Sequence, residues 1–198
     1  MDFQIVADCL SNIQATGSTL QKEALLRRYA DVDGFKDVLK FIYDPYFTTG
    51  LKQAKLDIGD GIDANAARMS IDEIMQYFRE HNTGTKADIA MANGFIFDSA
   101  DMNWQWAATG LVTKDLQIGV SVTTLNKVYG RGFIPKIGIM RGMLCPDHIF
   151  GSYIVTEKID GNRRLIFTRE TGVEVYTRSG KRDLGLVEIM EEAKQLPT

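Results

Sequence analysis

The side chains best suited to chemistry lie in residues 156–163, which read Thr-Glu-Lys-Ile-Asp-Gly-Asn-Arg. Lys158 brings an amine, Asp160 a carboxylate and Arg163 a guanidinium, and Gly161 stands between the two charged partners. A lysine amine, with an unperturbed pKa of about 10.4, attacks phosphorus only when it is desolvated or lies beside another cation. The segment therefore places a candidate nucleophile within five residues of Arg163, which is one source of such a cationic field.

An ordinary β-hairpin is the alternative interpretation of this segment, because Asp160-Gly161 is a strong turn signal. The flanking runs Tyr153–Val155 and Arg164–Thr168 are rich in β-branched and aromatic residues, and Val173–Tyr176 forms a third such run after Gly172. We expect Lys158 to lie where a strand enters a tight turn.

The lysine motif and the later Thr177-Arg178-Ser179-Gly180 resemble those of the covalent nucleotidyltransferases, which include the ATP- or NAD-dependent polynucleotide ligases and messenger-RNA capping enzymes. The resemblance implies that Lys158 attacks the α-phosphate of ATP, with Mg²⁺ as the metal, and carries AMP. It also implies that Arg178 contacts the phosphate of a DNA nick. The implied nucleotide-binding residues are Glu157, Lys158, Ile159, Asp160 and Arg163. Many relatives have glutamate two residues before the lysine, whereas this chain has Thr156 there.

The first two-thirds of the chain have the periodicity of helices. Capping-box patterns predict three helix starts, at Ser18 with Gln21, at Ser70 with Glu73 and at Thr85 with Asp88. Apolar spacings of three and four predict a helix through Phe35, Val38, Leu39 and Ile42 that Pro45 ends, and Trp104 to Leu111 indicate another helix.

Two stretches of the helical part resemble the all-helical DNA-binding domain that precedes the catalytic core in ATP-dependent DNA ligases, especially those of large tailed bacteriophages. They are Leu20–Lys52, which contains LQKEALLRRY and FKDVLKFIYDPYFTTGLK, and Lys114–Gly130, which reads KDLQIGVSVTTLNKVYG. The resemblance implies that the second stretch approaches duplex DNA across the minor groove. The predicted DNA contacts are Lys114, Ser121, Thr123, Lys127 and Arg131. The alternative for the hydroxyl residues is that they cap a helix terminus.

Charge is distributed unevenly along a chain whose net charge is −3. Between Lys114 and Arg141, five basic residues stand against the single acid Asp115. Such a patch suits phosphate binding, although a solvated surface explains it equally well.

Composition predicts a soluble, cytoplasmic protein, since no long apolar segment and no secretion signal is recognisable. Cys9 and Cys145 lack the spacing of a zinc site, and His81 and His148 have no recognisable catalytic partner. We expect a monomer that does not contact membranes.

These observations together predict an α+β fold. An all-α DNA-binding domain would occupy residues 1–130, and residues 131–198 would supply the first β-strands and a helix, over residues 183–195, of an adenylation domain. The resemblance implies an N-terminal fragment of an ATP-dependent DNA ligase that seals nicked double-stranded DNA. Two alternatives stay open, namely an RNA ligase or capping-type nucleotidyltransferase and a non-catalytic nick-binding or interaction module.

Overall fold

Two compact units, Met1–Pro135 and Lys136–Thr198, make up the chain. The computed structural model describes residues 2–56, 61–63, 65–66, 69–135, 161–169, 172–177, 182–183 and 185–195. The described part of the first unit is helical, and that of the second contains a two-stranded antiparallel sheet and a helix. The described residues thus form a mainly helical structure with a small antiparallel sheet, which agrees with the predicted α+β class.

The described part of the first unit contains eight helices. They are α1 (Phe3–Gln14), α2 (Thr19–Arg28), α3 (Phe35–Tyr43), α4 (Gln53–Leu56), α5 (Ile71–Glu80), α6 (Lys86–Ile96), α7 (Met102–Thr113) and α8 (Val122–Tyr129). None of the described helices is long and apolar enough to cross a membrane.

Side-chain caps fix where several of these helices begin. The Ser70 hydroxyl accepts from the Glu73 amide at the start of α5, and the Glu73 carboxylate accepts from the Ser70 amide at 2.7 Å. Thr85 and Asp88 form the same reciprocal pair at α6. Two of the three predicted capping boxes, those at Ser70 and Thr85, are thus confirmed. The predicted box at Ser18 is wrong in its hydrogen bonding, because α2 begins there without a side-chain cap bond.

Aromatic packing joins the first helix of this unit to α6 and α7. Phe3 of α1 lies 4.8 Å from Trp104 of α7 and 5.4 Å from Phe95 of α6, measured between ring centroids. The Trp104 indole Nε1 donates to the Phe95 carbonyl at 3.1 Å, so its polar atom is satisfied inside the cluster. Helices α1, α6 and α7 therefore form one side of a continuous core.

The second unit is built on a hairpin of β1 (Arg164–Arg169) and β2 (Gly172–Thr177), in which Leu165 pairs with Tyr176. Its short helix α9 (Val187–Ala193) packs on β2, and Val175 and Ala193 are buried between them. The predicted strands after the lysine motif are confirmed. The predicted helix over residues 183–195 is confirmed in its central part only.

Candidate nucleic-acid interface on the helical unit

The α7–α8 loop, residues 114–121, has a conformation set by two left-handed residues and a helix cap. Lys114 ends α7 with φ 54°, and Gly119 has φ 65°. Ser121 then caps α8, its hydroxyl accepting from the Thr124 amide at 3.1 Å. The alternative interpretation of Ser121 as a helix cap is thus confirmed.

Donors from α2 and α3 hold this loop from its inner side. The Lys22 ammonium donates to the Ile118 carbonyl at 2.7 Å, and the Tyr43 hydroxyl donates to the Val120 carbonyl at 3.0 Å. Burial raises the pKa of Tyr43 to about 12, which keeps the hydroxyl protonated. A Cβ at Gly119 would meet only the end of the flexible Lys22 side chain, so it is the left-handed backbone angle that favours glycine there.

The start of α8 presents groups that suit a phosphate. Amides in the first turn of a helix lack intrahelical acceptors, and the helix dipole adds partial positive charge there. Ser121 and Thr123 are exposed at this end, and the Ser121 hydroxyl lies 3.0 Å from the Thr124 hydroxyl. The loop and the start of α8 therefore form a polar ridge capable of accepting an anion.

A pinned turn follows α8 and carries Arg131. The Asn126 side chain bonds both backbone groups of Ile134, donating to the carbonyl at 3.0 Å and accepting from the amide at 2.8 Å. Arg131 is exposed between Gly130 and Gly132, which have φ values of 104° and 89°. The turn thus projects an arginine from the end of α8.

Two lysines that the sequence interpretation missed lie beside this turn. Lys36 and Lys40 of α3 lie over the rings of Tyr129 and Phe133, with Nζ 5.7 and 5.5 Å from the respective ring centroids. Together with Lys127 and Arg131, they form a cluster that we call the basic–aromatic surface. The sequence did contain one signal for these lysines: their spacing of four residues puts both on the same face of a helix. Their closeness to α8 could not be predicted, because α3 and α8 are far apart in the sequence.

Some of this charge is already paired. Lys127, predicted to contact phosphate, lies 2.7 Å from the carboxylate of Glu23, whose side chain is only 9% exposed. Lys40 lies 3.7 Å from Asp37 with both side chains well exposed, a pairing worth little energy. Lys36 and Arg131 therefore supply the most direct test of phosphate binding.

Most of the predicted nucleotide site lies outside the described residues. This applies to Glu157, Lys158, Ile159 and Asp160, and also to Arg178. Arg163 is exposed immediately before β1.

The neighbouring Arg164 bonds the Asp183 carboxylate through Nε at 2.7 Å, and this bond holds the pKa of Asp183 below its usual range. Among the described residues, no group of three or more His, Cys, Asp or Glu side chains could hold a metal ion.

Comparison with known proteins gives a likeness in fold. No family model matches the chain, and no curated protein matches it. Three solved chains match, and one of them is Pmar-Lig_PreS3, which is 20% identical with a TM-score of 0.56. The match covers 96% of this chain and 45% of that chain, so this chain spans less than half the length of its structural neighbour.

Proposed function

We propose that the chain is part of an ATP-dependent DNA ligase in which Lys158 is the residue that accepts AMP. The observation that carries the proposal is the spacing of Lys158, Asp160, Gly161 and Arg163 directly before a hairpin, β1–β2. The amine would attack the α-phosphate of ATP, forming a nitrogen–phosphorus bond as pyrophosphate leaves. AMP would then pass to the 5′-phosphate of a nick, and the 3′-hydroxyl of the adjoining strand would displace it.

Magnesium stays part of the proposal for the whole enzyme, because a divalent cation would neutralise charge on the phosphates of ATP. The described side chains do not offer it a ligand set, so no residue of this chain is assigned to it. Arg163 is assigned to the nucleotide ribose or the DNA terminus, and Arg178 to the nick phosphate, where a planar guanidinium can bond two oxygens.

The helical unit would bind the duplex around the nick. In support, the polar ridge at the start of α8 and the basic–aromatic surface at its end provide amide, hydroxyl and cationic partners for phosphates. These groups contact the backbone of a nucleic acid and carry no base-reading pattern, so we expect binding without sequence preference.

Adenylation is tested by incubating the longest natural form of the protein with labelled ATP and magnesium. We expect acid-labile label on the wild-type protein and none on Lys158→Ala, which lacks the amine. Lys158→Arg should also stay unlabelled, since a guanidinium stays protonated and cannot attack. Lys194→Ala, which changes an exposed lysine directly after α9, is the matched control and should label normally. Undiminished labelling of Lys158→Ala would move the nucleophile elsewhere.

DNA binding is tested on residues 1–198 by titrating a nicked duplex at several salt concentrations. The logarithm of affinity should fall linearly with the logarithm of salt, and Arg131→Ala or Lys36→Ala should each reduce the slope by about one. Lys86→Ala, exposed at the start of α6, should leave the slope unchanged. Tighter binding to nicked RNA than to nicked DNA would favour the RNA ligase alternative.

A further inference from the structure

Lys114 has an unusual backbone for its residue type. Among the described residues, it is the one non-glycine residue with positive φ, at 54°. The left-handed region costs an ordinary residue roughly 1–2 kcal/mol, so other contacts must hold the residue there. Its amide bonds the carbonyls of Gly110 and Leu111 and closes the last turn of α7, while the Asp115 amide also bonds Gly110 at 3.0 Å.

The Lys114 side chain is engaged as well. Its ammonium donates to the carbonyl of Asp44 at 2.6 Å and to that of Phe47 at 3.0 Å, and it lies 3.3 Å from the centroid of the Phe47 ring. Asp44 ends α3, and carbonyls near a helix C-terminus lack intrahelical donors. The ammonium therefore ties the end of α7 to the end of α3.

The segment that Lys114 grips is itself held in place. The Tyr46 amide donates to the Asp44 carboxylate at 2.9 Å, and the Arg79 guanidinium lies 4.8 Å from the Phe47 ring centroid. Tyr43, directly before Asp44, is the residue whose hydroxyl holds the Val120 carbonyl. Lys114 and Tyr43 therefore tie both ends of the α7–α8 loop to one point, the end of α3.

We infer that Lys114 is a positioning residue that fixes the α7–α8 loop for DNA, and that it does not contact a phosphate. A phosphate contact would require the ammonium to leave two backbone carbonyls and an aromatic ring in a partly buried position. The inference rests on the proposed duplex binding, and it reassigns one of the sequence-predicted DNA contacts.

Salt dependence separates the two roles. Lys114→Asn removes the ammonium but keeps a residue type that tolerates the left-handed region. We expect its affinity for a nicked duplex to fall by about fivefold to tenfold, as for the loss of one hydrogen bond between the displaced loop and the DNA, at every salt concentration and with an unchanged slope. Arg131→Ala should instead reduce the slope by about one. A slope reduced by about one in Lys114→Asn would overturn the inference, and so would wild-type affinity in the folded variant.

Amide chemical shifts of the DNA-free protein give a second readout. Lys114→Asn should shift the amide signals of Gly119 and Ser121, and Arg131→Ala should leave them in place. Unmoved signals in Lys114→Asn would contradict positioning. If the wild-type protein binds no duplex, the proposed function fails, while these signals still show whether Lys114 sets the loop. If Lys114→Asn does not fold, Lys114→Gly removes the same ammonium and relieves the backbone strain.

Discussion

Thr49 shows how a single buried hydroxyl can join distant parts of the chain. The residue is 1% exposed, and its Oγ1 donates to the Val112 carbonyl of α7 at 2.5 Å. Thr49→Val keeps the shape but leaves that carbonyl without its donor, so we expect a loss of about 1–3 kcal/mol in the free energy of unfolding. Urea denaturation monitored by circular dichroism measures it.

The neighbouring Thr48 provides the control because it is exposed. Thr48→Val should change the free energy of unfolding by less than about 0.5 kcal/mol. Equal effects of the two substitutions would show that the buried Thr49 hydroxyl contributes no more to stability than the exposed Thr48 hydroxyl does. Sequence reasoning did not identify Thr49, since nothing in the local pattern indicates an acceptor 63 residues away.

At the scale of elements, the α5 cap makes stability depend on pH. The Ser70 amide, and then the Ser70 hydroxyl, bond the Glu73 carboxylate and lower its pKa. A carboxyl with a lower pKa in the folded state stabilises the protein above its unfolded pKa of about 4.3, and this contribution is lost as pH falls through the folded value. We expect the midpoint of thermal unfolding to fall on acidification through this range.

Glu73→Gln isolates the contribution of the cap, because glutamine can still complete a capping box but does not titrate there. The variant should show a smaller decrease in unfolding midpoint on acidification than the wild-type protein. Asp72→Asn removes an acid from the same turn without touching the Ser70–Glu73 pair and serves as the control. If the decrease in unfolding midpoint on acidification were unchanged in Glu73→Gln and smaller in Asp72→Asn, the pH dependence would come from the interaction of Asp72 with the helix dipole and not from the cap.

Sequence reasoning succeeded for elements whose defining residues are close together in the sequence. The caps of α5 and α6 are complete within four residues, so the pattern alone identified them. For α8, sequence reasoning predicted phosphate-binding hydroxyls, with a helix cap as the alternative, and gave no helix bounds; Val122, Thr123 and Thr124 have modest helix propensity. Its position depends on tertiary contacts, such as the Tyr129 hydroxyl bonding the Leu26 carbonyl at 2.7 Å.

Helix α1 was missed although Phe3, Val6, Ala7, Leu10 and Ile13 recur at helical spacing. The candidate nucleic-acid interface could be predicted only in part, because some of its residues are neighbours in sequence and others are not. Arg131 and the start of α8 lie in one continuous stretch, whereas Lys22, Lys36 and Lys40 join it only through folding.

At the scale of the whole molecule, the two units have separate cores. The larger core lies within the first unit and extends from Phe3 to Ile134, while Val173, Val175 and Ala193 form the smaller one. We therefore expect residues 1–135 to fold alone, with helical circular dichroism and cooperative urea unfolding.

A fragment ending at Thr113 is the matched control. It lacks Ile118, Leu125 and Ile134, all fully or almost fully buried in the larger core, and should be markedly less stable. A non-cooperative transition for residues 1–135 would show that the second unit contributes to the fold of the first.

Both tryptophans of the sequence, Trp104 and Trp106, lie on α7, and the second unit has none. Trp104 packs edge-on against Phe3 and bonds a core carbonyl, so its emission will depend on whether α1 and α7 stay together. Intrinsic tryptophan fluorescence therefore reports on the helical unit alone, even in the intact chain. A loss of circular dichroism that precedes the fluorescence change would be the optical signature of the second unit unfolding first.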